Sequence, residues 1–344
     1  DNFLPNYTFH LHVEDADGDA QSALIHALSV ITEYTTFTHD NDTLYFPIIL
    51  GADWSSLSVG IAPLLSAFNM GQISSSATSI VLSDTSRYPY FHRTVPSDEL
   101  QAEGLMALCD AFDWRRIVVV YVNDAYGLYL ALGIQDRASS FDMDVTAIAI
   151  SYADEATYQY AAKQILELQV YIIILVVHSS SGLFHVFEDE GIVGYPYYYL
   201  GVDGWVDTNT LKLWQVTNQT VGFIGTVPWQ ATGFDLGDYE AEHKKVVNIS
   251  THKAEKVKAK WTWLYENGYA GGLHNREEPA HSTFMQYGYD AAYAVAHSLN
   301  ELEKQQYDFR ELVQTDQEQL IQVLHNIFVN NVTFIGASGF VDFD

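Results

Sequence analysis

Short apolar runs of strand length alternate, through the first two-thirds of the chain, with stretches whose apolar residues recur at helical spacing. That alternation predicts parallel sheets covered by helices. Tyr7 to Val13 reads as a strand, and the turn Asp15-Ala-Asp-Gly-Asp19 opens a helix carrying Leu24, Ile25, Leu28 and Ile31. Tyr45 to Leu50 is the next strand, Ser56 to Asn69 a helix, and Gln72 to Ser75 a short strand end. Pro96-Ser97 introduces a helix over Asp98 to Phe112, with Ser97 or Asp98 as its cap. Then come a strand at Ile117 to Val122, a helix at Tyr126 to Phe141, a strand at Val145 to Ile150 and a helix at Thr157 to Leu168. Val170 to Val177, Leu183 to Asp189 and Tyr197 to Leu200 repeat the unit once more.

Past Pro228 helical periodicity dominates, at about Ala254 to Glu266, Phe284 to Lys304 and Asp316 to Phe328. The glycine-rich, charged stretch from Asn267 to Pro279 is an exposed loop, and a strand from Gly339 to Phe343 closes the sequence. The fold class expected is therefore α/β, and 344 residues exceed one ordinary core, so two domains are expected.

Composition narrows the function classes. Hydrophobic residues make up 48% of the chain and charged residues 17%, enough apolar material to fill both cores. Against 44 acidic residues stand 16 basic ones, a formal charge of −28, which repels phosphate backbones and makes nucleic acid a poor partner. The single cysteine, Cys109, excludes an intrachain disulfide and, falling on a helical face with Leu105, Leu108 and Phe112, reads as a buried hydrophobe. Five glycosylation sequons, at Asn6, Asn41, Asn218, Asn248 and Asn331, lean toward a secretory route, although plain polar loops account for them equally well. No apolar run is long enough to span a bilayer and the first residues do not form a signal peptide, so a soluble segment of a longer precursor is expected.

Open α/β sheets bind ligands beyond the carboxyl ends of their strands, so the polar residues that follow strands are the candidates. Ser55 and Ser56 precede a helix, where free N–H groups and the helix dipole favour a carboxylate; a simple serine N-cap is the alternative. Ser74 to Ser79 offers hydroxyls and backbone groups that suit a zwitterion, or forms an ordinary polar loop. Asp124 to Gly127 and Gly201 to Trp205 are the other two such places.

The stretch from Ser75 to Asp98 (SSATSIVLSDTSRYPYFHRTVPSD) closely resembles the corresponding stretch of metabotropic glutamate and metabotropic GABA receptors. So do WRRIVVVY from Trp114 to Tyr121, NDAYG from Asn123 to Gly127, GVDGWVD from Gly201 to Asp207, YGYDAAYAVAH from Tyr287 to His297, and GASGFVDF from Gly336 to Phe343. In this order they resemble the ligand-binding domain of class C G-protein-coupled receptors. The resemblance implies a two-lobed periplasmic-binding-protein type I clamp: residues 1–93 and 229–329 in lobe one, 94–228 and 330–344 in lobe two. It implies that Ser55 takes the α-carboxylate of an amino-acid-like ligand, helped by backbone near Ser56. Ser76 and Thr78 then hold its α-carboxylate and α-amino groups from lobe one, and Asp98, Tyr126 and Asp203 reach the amino group from lobe two. A carboxylate suits hydroxyl and N–H donors, and an ammonium suits carboxylates or an aromatic face.

The same resemblance implies an extracellular position, a membrane signalling domain elsewhere in the full protein, and a homo- or heterodimer formed through helices at about 20–34 and 56–69. The family's first strand and helix are missing from this sequence. Phe284 stands where glutamate-binding members carry a lysine, and Thr208 replaces a basic residue, so a neutral or apolar amino acid is expected rather than glutamate. The scarcity of cysteines marks a divergent member. A solute-binding protein for uptake, or a ligand-silent receptor subunit, are the alternatives.

The turn at Asp15 resembles a calcium loop only superficially, because His26 occupies the twelfth position. His10 and His12 share a strand face without a third metal ligand. No cofactor is implied. The sequence carries no G-x-S-x-G, H-E-x-x-H, P-loop or G-x-G-x-x-G, and no enzymatic activity is expected.

Overall fold

The computed structural model describes residues 18–37, 45–178, 181–205, 216, 219–220, 222–228, 284–338 and 340–343. The expected strand at Tyr7 to Val13, the histidines at 10 and 12, Thr208, the helix at Ala254 to Glu266 and the loop at Asn267 to Pro279 lie outside them. So do Asn6, Asn41, Asn218 and Asn248, while Asn331 ends a helix in an exposed position.

Two parallel sheets organise the described residues. The smaller has three short strands in the order β1 (Ile48–Leu50), β2 (Gly71–Ser74), β3 (Phe91–Arg93). Helices α1 (Ala20–Phe37) and α2 (Ser55–Ala67) pack beside it through Ala27, Ile31, Tyr34, Ile61 and Leu65. Asp19 starts α1 by accepting the backbone N–H of Ser22 at 2.8 Å, the role of a helix cap.

The larger sheet contains β4 (Arg116–Val122), β5 (Asp144–Ile150), β6 (Ile172–Val176), β7 (Tyr198–Gly201) and β8 (Ile224–Gly225), in the spatial order β5-β4-β6-β7-β8. Helices α3 (Asp98–Ala111), α4 (Ala125–Ala138), α5 (Glu155–Leu168) and α6 (Ser181–Asp189) cover it. The sequence explains the arrangement directly. Every residue of β6 is buried, as is all of β4 except Arg116 and Tyr121, and strands buried on both faces are uniformly apolar. Ile117 pairs with Val145 on one side and Ile172 on the other, so β4 lies inside the sheet. Each buried valine or isoleucine contributes about 1.5–3 kcal/mol of transfer free energy. Cys109 lies in this core, and burial pushes its thiol up to about 12, leaving it a small hydrophobe.

Three further helices, α7 (Met285–Lys304), α8 (Phe309–Thr315) and α9 (Gln317–Asn331), return to the smaller sheet. Ala291, Ala294, Leu320, Leu324 and Phe328 share a core with Ile73 of β2. A two-stranded antiparallel sheet of β9 (Phe334–Ile335) and β10 (Phe340–Val341) follows. Val332, Val341 and Phe343 join that same core, whereas the expected division placed 330–344 with the second lobe. Among the described residues β9 and β10 pair only with each other; Phe334 and Val341 face the core shared with α7 and α9, while Ile335 and Phe340 are exposed. Asp290, fully buried on α7, fixes this return by accepting the N–H groups of Ala337 and Ser338 and the Ser338 hydroxyl at 2.6–2.8 Å.

Candidate ligand site

The order β5-β4-β6 reverses direction between β4 and β6, and ligands in open parallel sheets gather at such a switch point. The loops that leave β4, β6 and β7 carry Asp124 and Tyr126, His178, and Asp203. On the other side, the loops leaving β1, β2 and β3 carry Trp54, Ser55 and Ser56, Ser76 and Thr78, and Asp98. All seven candidate residues therefore follow the carboxyl ends of strands.

Ser55 does not cap α2. Trp54 is the N-cap residue and makes no side-chain cap, so the hydroxyl of Ser55 is available to the loop after β2. It accepts the backbone N–H of Ser79 at 3.1 Å and is buried. Ser56 follows on the first turn, half-buried. Ser76 donates its hydroxyl to the carbonyl of Asp53 at 2.8 Å, tying the β2 loop to the β1 loop. Ser74 reinforces the tie, donating to Ala52 O at 2.7 Å while accepting from Ala77 N at 2.9 Å. This rim is made of hydroxyls and amides that largely satisfy one another.

Arg93 holds the rim from behind. Its guanidinium donates to the carbonyls of Thr78 and Ser79, both at 2.9 Å, to that of Ala77 at 3.4 Å, and to the Ser83 hydroxyl. Because Arg93 bonds carbonyl oxygens, it leaves the nearby carboxylate of Asp98 without an ion pair. The backbone N–H of Asp98 instead donates to Thr78 O at 2.9 Å. Ser97 caps α3 by accepting the N–H of Glu99, so Asp98 is the first helical residue rather than the cap.

The opposite rim is charged. Asp98 is 2% exposed, and its Oδ2 has no hydrogen-bond partner. Burial drives its carboxyl well above the usual carboxylate range, and the neighbouring Asp203 pushes it further, against the Thr78 hydroxyl and Arg93. Asp203 is raised as well, mainly by burial and against the Tyr126 hydroxyl, which donates to its Oδ1 at 2.9 Å. Tyr126 is itself raised, by burial first and then by the two carboxylates. Like charges desolvated together favour a proton or a cation beside them.

Asp124 builds the approach to Tyr126. Its Oδ1 caps α4 by accepting the N–H groups of Tyr126 and Gly127 at 2.9 and 2.8 Å, and its Oδ2 meets His178 Nε2 at 2.8 Å. Gly127 is required there, because a Cβ would lie 2.1 Å from Val122 O. The imidazole of His178 in turn lies 5.4 Å from the ring of Trp54, 6.1 Å from Tyr126 and 5.9 Å from Tyr152. The hydroxyl of Ser79 closes the circuit by donating to Ala125 O at 2.5 Å.

The structure thus brings Thr78, Asp98, Tyr126 and Asp203 together, with Ser55, Ser56 and Ser76 on the adjoining loops. Sequence reasoning placed Trp54 and Asp124 within candidate stretches without giving either a role, and missed Arg93 and His178. An arginine closing the apolar pair Phe91-His92 just before Pro96-Ser97-Asp98 was a usable signal for Arg93. An aspartate one residue before a helix was the signal for Asp124. No local signal could join Trp54 to His178, since their contact exists only once both sheets are built.

A family model described as the receptor family ligand binding region matches residues 1–344. Among curated relatives, the probable metabotropic glutamate receptor mgl-1 of Caenorhabditis elegans is 42% identical over 79 residues, covering 23% of this chain and 8% of that receptor. The extracellular calcium-sensing receptors of Homo sapiens and Bos taurus are each 24% identical, over 244 and 247 residues. Those matches cover 65% and 67% of this chain and 22% of each receptor. The matched region thus spans less than a quarter of the length of these relatives.

Proposed function

The chain belongs to the receptor family ligand-binding region, of periplasmic-binding-protein type I fold, and on that premise we propose that it closes on a small amino-acid-like ligand and passes the closure on as a signal. Its relatives are receptors, not enzymes, and metabotropic glutamate and calcium-sensing receptors are among them. Receptor relatives favour a signalling role over uptake. No helix among the described residues is long and apolar enough to cross a membrane.

One observation carries the proposal: the buried carboxylate of Asp98, with Oδ2 unpartnered, beside Asp203 and the Tyr126 hydroxyl. An unpartnered buried charge costs several kcal/mol, and an ammonium between the two carboxylates removes that cost. On the adjoining elements, Ser55 and Ser56 at the start of α2 supply hydroxyl and N–H donors for a carboxylate, and Ser76 joins them by turning its hydroxyl from the Asp53 carbonyl to the ligand. A group bearing both charges fits both rims, as an α-amino acid does.

In this scheme lobe one comprises 1–93 and 229–329, and lobe two 94–228 and 330–344. Ligand docks on Ser55, Ser76 and Thr78, and Asp98, Tyr126 and Asp203 complete the site as the lobes close. Interactions made only in the closed state shift the population toward it. The exposed apolar residues Ile25 and Leu28 of α1 supply a face for a homo- or heterodimer, through which closure reaches a membrane domain.

Titration calorimetry of the chain against a panel of free amino acids tests this. Wild type gives saturable heat with at least one small neutral amino acid, and Thr78→Ala reduces that affinity about tenfold or more through loss of a charge-assisted hydrogen bond. Absence of heat with every amino acid, at unchanged folding, sinks the proposal in favour of a ligand-silent subunit.

A further inference from the structure

Three directions leave the α-carbon of an amino acid held as described. The carboxylate points to Ser55, Ser56 and Ser76, and the ammonium to Asp98, Tyr126 and Asp203. The third direction, that of the ligand side chain, is assigned in this reading to the open side of these two groups. Trp54 adjoins Ser55, and His178 packs 6.1 Å from the ring of Tyr126. The rings of Trp54 and His178 meet at 5.4 Å and 33°.

Both rings are fixed in place. The indole of Trp54 lies directly on Gly18, where a Cβ would come within 2.9 Å of Cη2 and 3.1 Å of Cζ3. His178 is tethered by Asp124 at 2.8 Å and stacked on Tyr152 at 5.9 Å and 25°. Trp54 comes from the loop after β1 and His178 from the loop after β6, so their contact spans from one sheet to the other. We propose that this ring pair is the length-limiting wall of the ligand site and restricts it to amino acids with very short side chains. The proposal rests on the amino-acid site of the preceding subsection and adds the ligand class to it.

The physical basis is steric and electrostatic together. A side chain longer than that of alanine or serine must push apart a pair of rings that are each held from behind, and small apolar differences in a packed pocket discriminate by about 10–200-fold. A terminal carboxylate meets Asp124 in addition, and like-charge opposition rejects glutamate more strongly than size alone. The two walls differ in what lies behind them. Removing the indole opens space beside Gly18, whereas removing the imidazole uncovers the Asp124 carboxylate, a partner for a basic side chain.

The test is calorimetry of wild type, Trp54→Ala and His178→Ala with glycine, L-alanine, L-serine, L-phenylalanine, L-glutamate and L-lysine. Wild type binds one or more of the first three at least about tenfold more tightly than the last three. Trp54→Ala shifts the phenylalanine-to-alanine affinity ratio upward by about tenfold or more, and His178→Ala shifts the lysine-to-alanine ratio upward by a similar factor. Trp54 is half-exposed, and melting curves verify that both variants fold. Heat from wild type with ratios unchanged in both variants overturns the length limit while leaving the amino-acid site standing, as does wild-type binding of glutamate or phenylalanine as tight as that of alanine. Absence of heat from all three proteins overturns the amino-acid site itself, and the length limit with it.

Discussion

The two rims of the site are built on opposite principles. On the rim formed after β1 and β2, Ser55, Ser74, Ser76 and the backbone of residues 77–79 satisfy one another or are held by Arg93. On the rim formed around α3, α4 and β7, two carboxylates and a phenol are buried side by side and one oxygen has no partner. The first rim is stable before anything binds. The second is held in an unfavourable state by the core of the larger sheet, and that difference makes it the rim where a cation gains most. Function and folding stability should therefore respond in opposite directions to changes there, and in the same direction on the hydroxyl rim.

The strongest way to break the comparison is Asp98→Asn. The amide removes the charge but keeps the shape, so ligand affinity should fall about a hundredfold, the scale of a lost charge-assisted pair. Unliganded stability at neutral pH should meanwhile rise by about 1–2 kcal/mol, because a buried charge without a partner disappears. Denaturant melts with and without ligand read both effects, and a variant that loses stability along with affinity contradicts the picture. The sign with pH follows. The carboxyls of Asp98 and Asp203 are raised in the folded protein, so their penalty is absent below the unfolded value and grows as pH rises through the folded values. The stability gained by Asp98→Asn should shrink accordingly on acidification, and ammonium affinity in wild type should rise with pH across the same window.

Ser55→Ala sharpens the comparison from the other rim. It leaves the buried N–H of Ser79 without an acceptor, which costs about 1–3 kcal/mol of stability, and it weakens ligand binding by about tenfold. Chemical denaturation and calorimetry should show both losses together, unlike the opposed pair at Asp98.

The smallest effect lies outside the site and gives a control for its pH behaviour. His92 is buried on β3 among Phe328, Phe343 and His325, and burial, aided by His325, pulls it down to about 3. Its contribution to stability is complete above the unfolded value near 6.5 and is lost as pH falls toward 3. His92→Phe should flatten the decline of stability below pH 6 while leaving ligand affinity at neutral pH within about twofold of wild type. An unchanged acid limb would place the titrating group elsewhere, with His325 on α9 the next to substitute.

The larger sheet was almost wholly legible, because Ile117–Val122 and Ile172–Val176 are inner strands with nearly every residue buried and leave continuous apolar runs. The smaller sheet was less so. Phe91–Arg93 has three residues, too few for any period, and α8 (Phe309–Thr315) spans less than two helical turns. Polar residues after strands led to Ser55, Ser76, Thr78, Tyr126 and Asp203 as candidates. They did not lead to the support behind them, since the bond from Arg93 to Thr78 bridges 15 positions and the contact from His178 to Asp124 bridges 54. Pairing partners of two-residue strands are decided by side chains such as Phe343 finding α9, which no local pattern records.

Gly127 has a consequence for any lineage in which this sequence drifts. With Val122 O where a Cβ would stand, the first turn of α4 is pressed against the strand that precedes it, and every substitution at 127 must move the helix that positions the Tyr126 hydroxyl. Ligand preference can diversify through Trp54 or Tyr152, whose exposed rings tolerate exchange, while the ruler from β4 to the phenol stays the same length. A descendant protein could change the rings around the site without ever altering the spacing of Tyr126 and Asp203.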